Sequence, residues 1–142
     1  MVYTKMFFES KSVEDTRRFG AELAMKVMAG DVFALEGDLG AGKTELVRGL
    51  VAALGGAAVV RSPSFPILNI YQTAKLPVYH FDFYRMIDSD ELYEIGFDEY
   101  VSGDGLCLIE WGTMFADMLP LNTKILRFLD NGNTSRLIEY DF

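Results

Sequence analysis

Val32-Phe33-Ala34-Leu35-Glu36-Gly37-Asp38-Leu39-Gly40-Ala41-Gly42-Lys43-Thr44 is the stretch on which the fold turns. Val32 to Leu35 is a short apolar run without helical period, as expected of a strand buried on both faces, and Gly30-Asp31 punctuates its start. Gly37 to Thr44 then satisfies every fixed position of the pattern G-x-x-x-x-G-K-[ST]. From Thr44 to Leu54 helix formers dominate, with Leu46, Val47, Leu50, Val51 and Leu54 on one helical face, until Gly55-Gly56 stops the run. Strand, glycine-rich turn and helix in this order form a phosphate cradle: the strand anchors the turn and the helix aims amides at an anion.

Each residue type has its own part in that cradle. Gly37, Gly40 and Gly42 permit positive φ and a close backbone approach to phosphate. Amides from Gly37 through Thr44, including those of Asp38, Leu39 and Ala41, line an anion nest reinforced by the helix dipole. Lys43 supplies a point charge for β- and γ-phosphate oxygens, and Thr44 offers its hydroxyl to Mg²⁺. The expected ligands are ATP and Mg²⁺.

At 142 residues, half of them apolar, the chain suits one globular domain spanning 1–142. No apolar run reaches the length of a membrane span and the first residues lack the layout of a secretory signal, so a cytoplasmic location is expected. A net charge of -8 weighs against unaided binding to nucleic acid. Lys11, Arg17, Arg18 and Lys26 cluster in one segment and read as a solvated helix face. The single cysteine, Cys107, sits in the apolar run Leu106 to Ile109 and reads as a core residue.

Around the loop the elements alternate and then change character. Lys5 to Glu9 reads as a strand, and Ser12-Val13-Glu14-Asp15 as a near capping box opening a helix with Phe19, Leu23, Val27 and Met28 as its stripe. A short strand is expected around Val59-Val60, followed by an extended loop through Pro63 and Pro66. Ile67 to Tyr71 and Val78 to Tyr84 read as a hairpin, with His80 and Asp82 on one face and Tyr79, Phe81 and Phe83 on the other. Ser89 to Ile95 reads as a short acidic helix stopped by Gly96, and Leu106 to Ile109 as a buried strand leading into Glu110. A helical turn is expected over Met114 to Leu119, and a terminal hairpin from Lys124 to Tyr140 around Asn131-Gly132. The fold class is α/β, a P-loop NTPase-like three-layer fold whose mixed sheet carries antiparallel hairpins, with nucleotide at the carboxyl ends of the parallel strands.

Hydrolysis or transfer needs a metal-side carboxylate and a group that orients the attacking oxygen. Glu110 stands at the end of a buried strand, where such an acid is expected, and Asp82 is the second candidate. Asp82 could equally cap the following turn or pair with Arg85, His80 suits a structural hydrogen bond as well as a general base, and Trp111 suits the core or an interface.

Taken in order, the loop with Val47-Arg48-Gly49, then Ser62-Pro63-Ser64-Phe65, His80-Phe81-Asp82-Phe83-Tyr84-Arg85, Glu94-Ile95-Gly96 and Ile109-Glu110-Trp111 closely resembles the TsaE (YjeE) family over Ser12 to about Arg136. The family comprises small bacterial P-loop ATPases of tRNA threonylcarbamoyladenosine biosynthesis. The resemblance implies an ATPase, weak by itself, that assists the TsaD and TsaB proteins in modifying adenosine 37 of tRNA, contacts tRNA only through that complex, and resets it between turnovers. It implies Glu110 as the metal-side acid, Asp82 near the γ-phosphate, Ser62 to Phe65 as a switch-like loop, and Val13 with Thr134 and Ser135 around adenine and sugar. Glu45 stands where a second threonine often follows the loop, and Ser64 where threonine is common.

Two other classes share the loop. A P-loop small-molecule kinase would carry an arginine-rich lid, and no such segment is visible. A nucleotide-sensing module without turnover would use Ser62 to Phe65 as its switch.

Overall fold

The computed structural model describes residues 5–38, 42–57, 59–61, 67–84, 86, 88–130 and 135–142. Strand β1 (Met6–Ser10) leads into helix α1 (Val13–Ala24), and β2 (Val32–Glu36) into α2 (Lys43–Ala53). The strands β3 (Leu68–Tyr71) and β4 (Val78–Asp82) form a hairpin, followed by α3 (Asp90–Glu94), α4 (Phe97–Val101) and β5 (Leu106–Glu110). A 3₁₀ helix (Gly112–Met118) and the strands β6 (Lys124–Asp130) and β7 (Arg136–Tyr140) complete the order.

All seven strands join one sheet in the order β1-β7-β6-β2-β5-β4-β3. The four central strands β6, β2, β5 and β4 run parallel, while β3 and the β7-β1 pair are antiparallel additions at the two edges. Successive side chains of a strand point to opposite faces, and both faces are covered. Phe33, Leu35, Leu106 and Leu108 pack under α1 and α2 with Phe19, Leu46 and Leu50. Val32, Phe81, Phe83, Cys107 and Ile109 pack on the other face with Leu92 and Phe97. That alternation produces the three layers expected from the sequence.

The hydrogen bonds of the elements follow local chemistry. The Ser12 side chain accepts from the Asp15 N–H, capping α1 as expected. At the other end of α2, Gly55 adopts φ 86° and its N–H donates to the Ala52 carbonyl. Helices α1 and α2 approach so closely that a Cβ on Gly20 would overlap the Leu46 carbonyl oxygen and one on Gly49 the Arg17 carbonyl oxygen.

Three expectations need correction. Val59 and Val60 form no strand: Val59 is exposed, and the Val60 carbonyl accepts from Arg48 Nε instead of a ladder partner. Met28 is exposed, because α1 ends at Ala24 and the chain has turned before reaching it. Gly96 ends α3, but at φ 76° it also opens α4, a helix the sequence reading had not separated. The Asn131-Gly132 turn and the loop through Pro63 and Pro66 lie outside the described residues, although β6 and β7 do pair as a hairpin.

Cys107 is fully buried, with its Sγ 3.5 Å from the Tyr100 carbonyl oxygen. Burial pushes its thiol from 9.0 up to about 12. The folded chain thus keeps a proton that the unfolded chain releases, so stability is intact below pH 9.0 and falls as pH rises toward about 12. Tyr79, pushed from 10.0 to about 12 by burial and by its bond to Asp104, acts in the same sense. Urea denaturation between pH 8 and 11 should show this loss, and Cys107→Ala should reduce its slope.

Candidate functional site

The parallel strands end together, and their last residues build the site. Register places Glu110 opposite Leu35 of β2 and opposite Asp82 of β4. Glu36, the final residue of β2, adjoins Gly37, whose carbonyl accepts a 2.6 Å hydrogen bond from Lys43 Nζ. Lys43 opens α2, so the loop folds its own lysine back across the strand ends. Gly42 precedes it at φ 98°, a conformation glycine adopts without Cβ strain, and its carbonyl accepts from the Leu46 N–H.

Lys43 Nζ lies 3.9 Å from Glu110 Oε1 and 4.3 Å from the centre of the Trp111 ring. Both Lys43 and Glu110 are at most 4% exposed. Burial holds the Lys43 ammonium below its usual pKa, opposed by the charges of Glu110, Asp82, Glu36 and Asp38. Asp82 shifts upward, again mainly through burial, helped by Glu110 and opposed by a 2.9 Å bond from the Tyr84 N–H and by Lys43 and His80. Four carboxylates surround one ammonium, so the site has an excess of hard anionic oxygen. Carboxylate oxygens of this kind are the donors that hard divalent cations take. Among the described residues no group of three or more His, Cys, Asp or Glu is placed to hold a metal ion.

Three further contacts organise the acids. Glu36 accepts 3.0 Å bonds from both the N–H and the hydroxyl of Thr113, at the start of the 3₁₀ helix, and so is spoken for. His80 is fully buried, with Nε2 2.6 Å from Glu110 Oε2 and Nδ1 3.1 Å from the Tyr71 hydroxyl. Trp111 holds φ 60°, an uncommon left-handed conformation for a side-chain-bearing residue that costs about 1–3 kcal/mol. Its ring stacks with Tyr84 at 5.0 Å, and its buried Nε1 has no hydrogen-bond partner among the described residues.

Val13 and Gly42, distant in sequence, line one pocket of about 290 Å³ with Ser12, Thr16, Glu45 and Arg136. Glu45 is held by Arg17 and Arg48, and Arg18 pairs with Asp15, so these arginines form a solvated, paired face. Leu39, Gly40, Ala41, Thr134 and the segment Ser62 to Phe65 lie outside the described residues. The structure therefore brings together Lys43, Asp82 and Glu110 from three separate motifs, with Gly37, Asp38, Gly42 and Thr44 flanking them in the loop.

A family profile described as threonylcarbamoyl adenosine biosynthesis protein TsaE matches residues 10–138. The chain belongs to the TsaE family. It is 44% identical over 107 residues to the tRNA threonylcarbamoyladenosine biosynthesis protein TsaE of Bacillus subtilis (strain 168), a match covering 75% of this chain and 66% of that one. The protein of the same description from Treponema pallidum (strain Nichols) is 40% identical over 126 residues, covering 87% of this chain and 93% of its own. Among solved structures, the crystal structure of Bacillus subtilis YdiB superposes with a TM-score of 0.85 at 33% identity, covering 99% of this chain and 86% of that chain. The fold is that of a P-loop NTPase, and the TsaE family is involved in tRNA threonylcarbamoyladenosine biosynthesis.

Within this TsaE chain, Glu36 and Tyr71 are the site residues that sequence reasoning missed. Glu36 ends the buried strand directly before the loop, which is a signal; its bond to Thr113 is not legible, because it spans two separate elements. Tyr71 shares a hairpin face with Asn69, His80 and Val78 once the register is known. No helix among the described residues is long and apolar enough to cross a membrane.

Proposed function

We propose that this protein binds ATP with Mg²⁺ at the Gly37–Thr44 loop, hydrolyses it, and by doing so serves the TsaD–TsaB transferase complex that modifies adenosine 37 of tRNA. It does not transfer the threonylcarbamoyl group itself, and it reaches tRNA through that complex. The observation that carries this reading is the convergence of Lys43, at the start of α2, with Asp82 and Glu110, at the carboxyl ends of the adjacent parallel strands β4 and β5. Membership of the TsaE family supplies the pathway.

Lys43 gives up its contacts with Gly37 and Trp111 to meet phosphate oxygens, aided by amides of the loop and of the first turn of α2. Thr44 offers its hydroxyl, and Glu110 or Asp82 its carboxylate, to the cation. Held by these residues, Mg²⁺ would neutralise charge on the phosphates. Glu110 orients the attacking water while its own orientation is fixed from behind by His80. Val13 and the pocket it lines beside Gly42 are suited to the nucleoside; the family resemblance adds Thr134. The acidic surface favours docking on a basic protein partner.

The test is phosphate release from ATP by the purified chain, with and without TsaD and TsaB, alongside tRNA modification over many turnovers. Release stimulated by the partners, and modification that stalls without this chain, are the expected results. Phosphorylation of a small acceptor in place of free phosphate would favour a kinase, and modification indifferent to this chain would overturn the reading. Lys43→Ala should weaken ATP binding at least about a hundredfold, read by calorimetry, because the lost charge-assisted bonds contribute roughly 3 kcal/mol.

A further inference from the structure

The Glu110 carboxylate is held from behind by a chain of side chains that reaches the backbone of Arg61. Its Oε2 meets His80 Nε2 at 2.6 Å, His80 Nδ1 meets the Tyr71 hydroxyl at 3.1 Å, and that hydroxyl bonds Arg61 twice, donating to its carbonyl at 2.9 Å and accepting from its N–H at 3.3 Å. Asn69 Nδ2 donates to the same Arg61 carbonyl at 3.2 Å.

A phenol has one hydrogen to donate, and here two acceptors compete for it: the Arg61 carbonyl and His80 Nδ1. When the hydroxyl serves His80 Nδ1, Nε2 carries the proton and donates to an ionised Glu110. Asn69 then keeps the Arg61 carbonyl satisfied. Both ring nitrogens of His80, the Tyr71 hydroxyl and the Arg61 carbonyl are then all paired. When the hydroxyl turns to Arg61, Nδ1 must donate to the phenol oxygen, and the character of the bond to Glu110 changes. The Tyr71 hydroxyl thus selects how His80 presents itself to Glu110.

We propose that His80 and Tyr71 are positioning residues for Glu110, and that through Tyr71 the orientation of this carboxylate is tied to the backbone of Arg61, where the chain enters Ser62 to Phe65. The inference rests on Glu110 acting in ATP hydrolysis, as proposed above. Among the described residues, the hydrogen bonds of His80 and Tyr71 run to Glu110, Arg61 and Asn69 and to each other. Partners that orient a catalytic or metal-binding carboxylate typically contribute about 10–100-fold to activity.

Two readouts on the full chain test this. In hydrolysis assays with TsaD and TsaB, Tyr71→Phe removes one oxygen from a packed core and should lower kcat about tenfold, with KM for ATP changed less than about twofold. His80→Gln places an amide N–H where Nε2–H stands and should retain several times the kcat of His80→Leu. His80 is the only histidine, so imaging its ring nitrogens by ¹⁵N NMR is unambiguous: the wild type should show an Nε2-bound proton protected from exchange, and Tyr71→Phe should move the Nδ1 resonance. Wild-type kcat and an unmoved Nδ1 resonance in Tyr71→Phe would overturn the proposal. So would equal losses in His80→Gln and His80→Leu that merely follow lowered melting temperatures. A wild-type chain that hydrolyses no ATP would instead overturn the ATPase reading, and the ring-nitrogen spectrum would still decide whether Tyr71 sets the state of His80.

Discussion

Glu110→Gln is expected to lower kcat for ATP hydrolysis by about 10²–10³-fold, the range typical of removing one preorganised electrostatic contact at a reacting centre. Glutamine keeps the shape, and its carbonyl oxygen still accepts from His80, so the fold survives and the loss falls on the chemical step. Alanine would be a poorer probe, because it would leave buried His80 and Lys43 without their partner. A second consequence concerns Lys43. Glu110 is the strongest influence keeping that buried ammonium protonated, so removing its charge lowers the Lys43 pKa further. ATP binding by Glu110→Gln should therefore fail at a lower pH than in the wild type as pH rises. Single-turnover hydrolysis and a pH series of nucleotide affinity measure both effects; a kcat within about threefold of wild type would remove Glu110 from the mechanism.

Gly49→Ala is expected to cost about 2–4 kcal/mol of stability, although alanine is the better helix former by about 1 kcal/mol. The added Cβ falls on the carbonyl oxygen of Arg17, which is backbone and cannot turn aside, so α1 and α2 must separate. Gly20→Ala meets the Leu46 carbonyl across the same seam. One separation relieves both clashes, so the double variant should cost less than the sum of the singles. Calorimetry should show the melting temperature falling by roughly 10 °C for Gly49→Ala. Because α1 begins at Val13 and α2 at Lys43, the same shift opens the pocket between Val13 and Gly42, and KM for ATP should rise with it. An unchanged melting temperature would mean that the seam is looser than its geometry.

The strand Val32–Glu36 and the helix Lys43–Ala53 were legible because the pattern is local: apolar run and helical spacing sit within one window. Glu110 and Asp82 were legible as strand-end acids for the same reason. What the sequence did not carry was pairing. That β6 lies beside β2, and β5 between β2 and β4, follows from packing across the whole chain. The tie from Glu110 through His80 to Tyr71 depends on the register Asn69↔His80, which a six-residue connection from Gln72 to Pro77 leaves free. Gly96 misled because a left-handed residue can end one helix and begin the next equally well. Val59 and Val60 misled because β-branched residues favour strands only where a neighbour offers a ladder.

The pairing of β1 with β7 has a consequence for the order in which this chain can fold. Met6 lies opposite Tyr140 and Ser10 opposite Arg136, so the strand made early has its sheet partner in one made late. Until β7 is made, β1 has no sheet partner, and even after pairing it remains an edge strand with Met6 and Phe7 exposed. Contacts this distant in sequence close slowly, after local ones have formed. The central strands and α2 can assemble during synthesis, but Ser12 and Val13, which β1 delivers to the pocket beside Gly42, take their final places only when β7 has docked. A nascent chain therefore completes β2 and α2 before it completes the pocket beside Gly42.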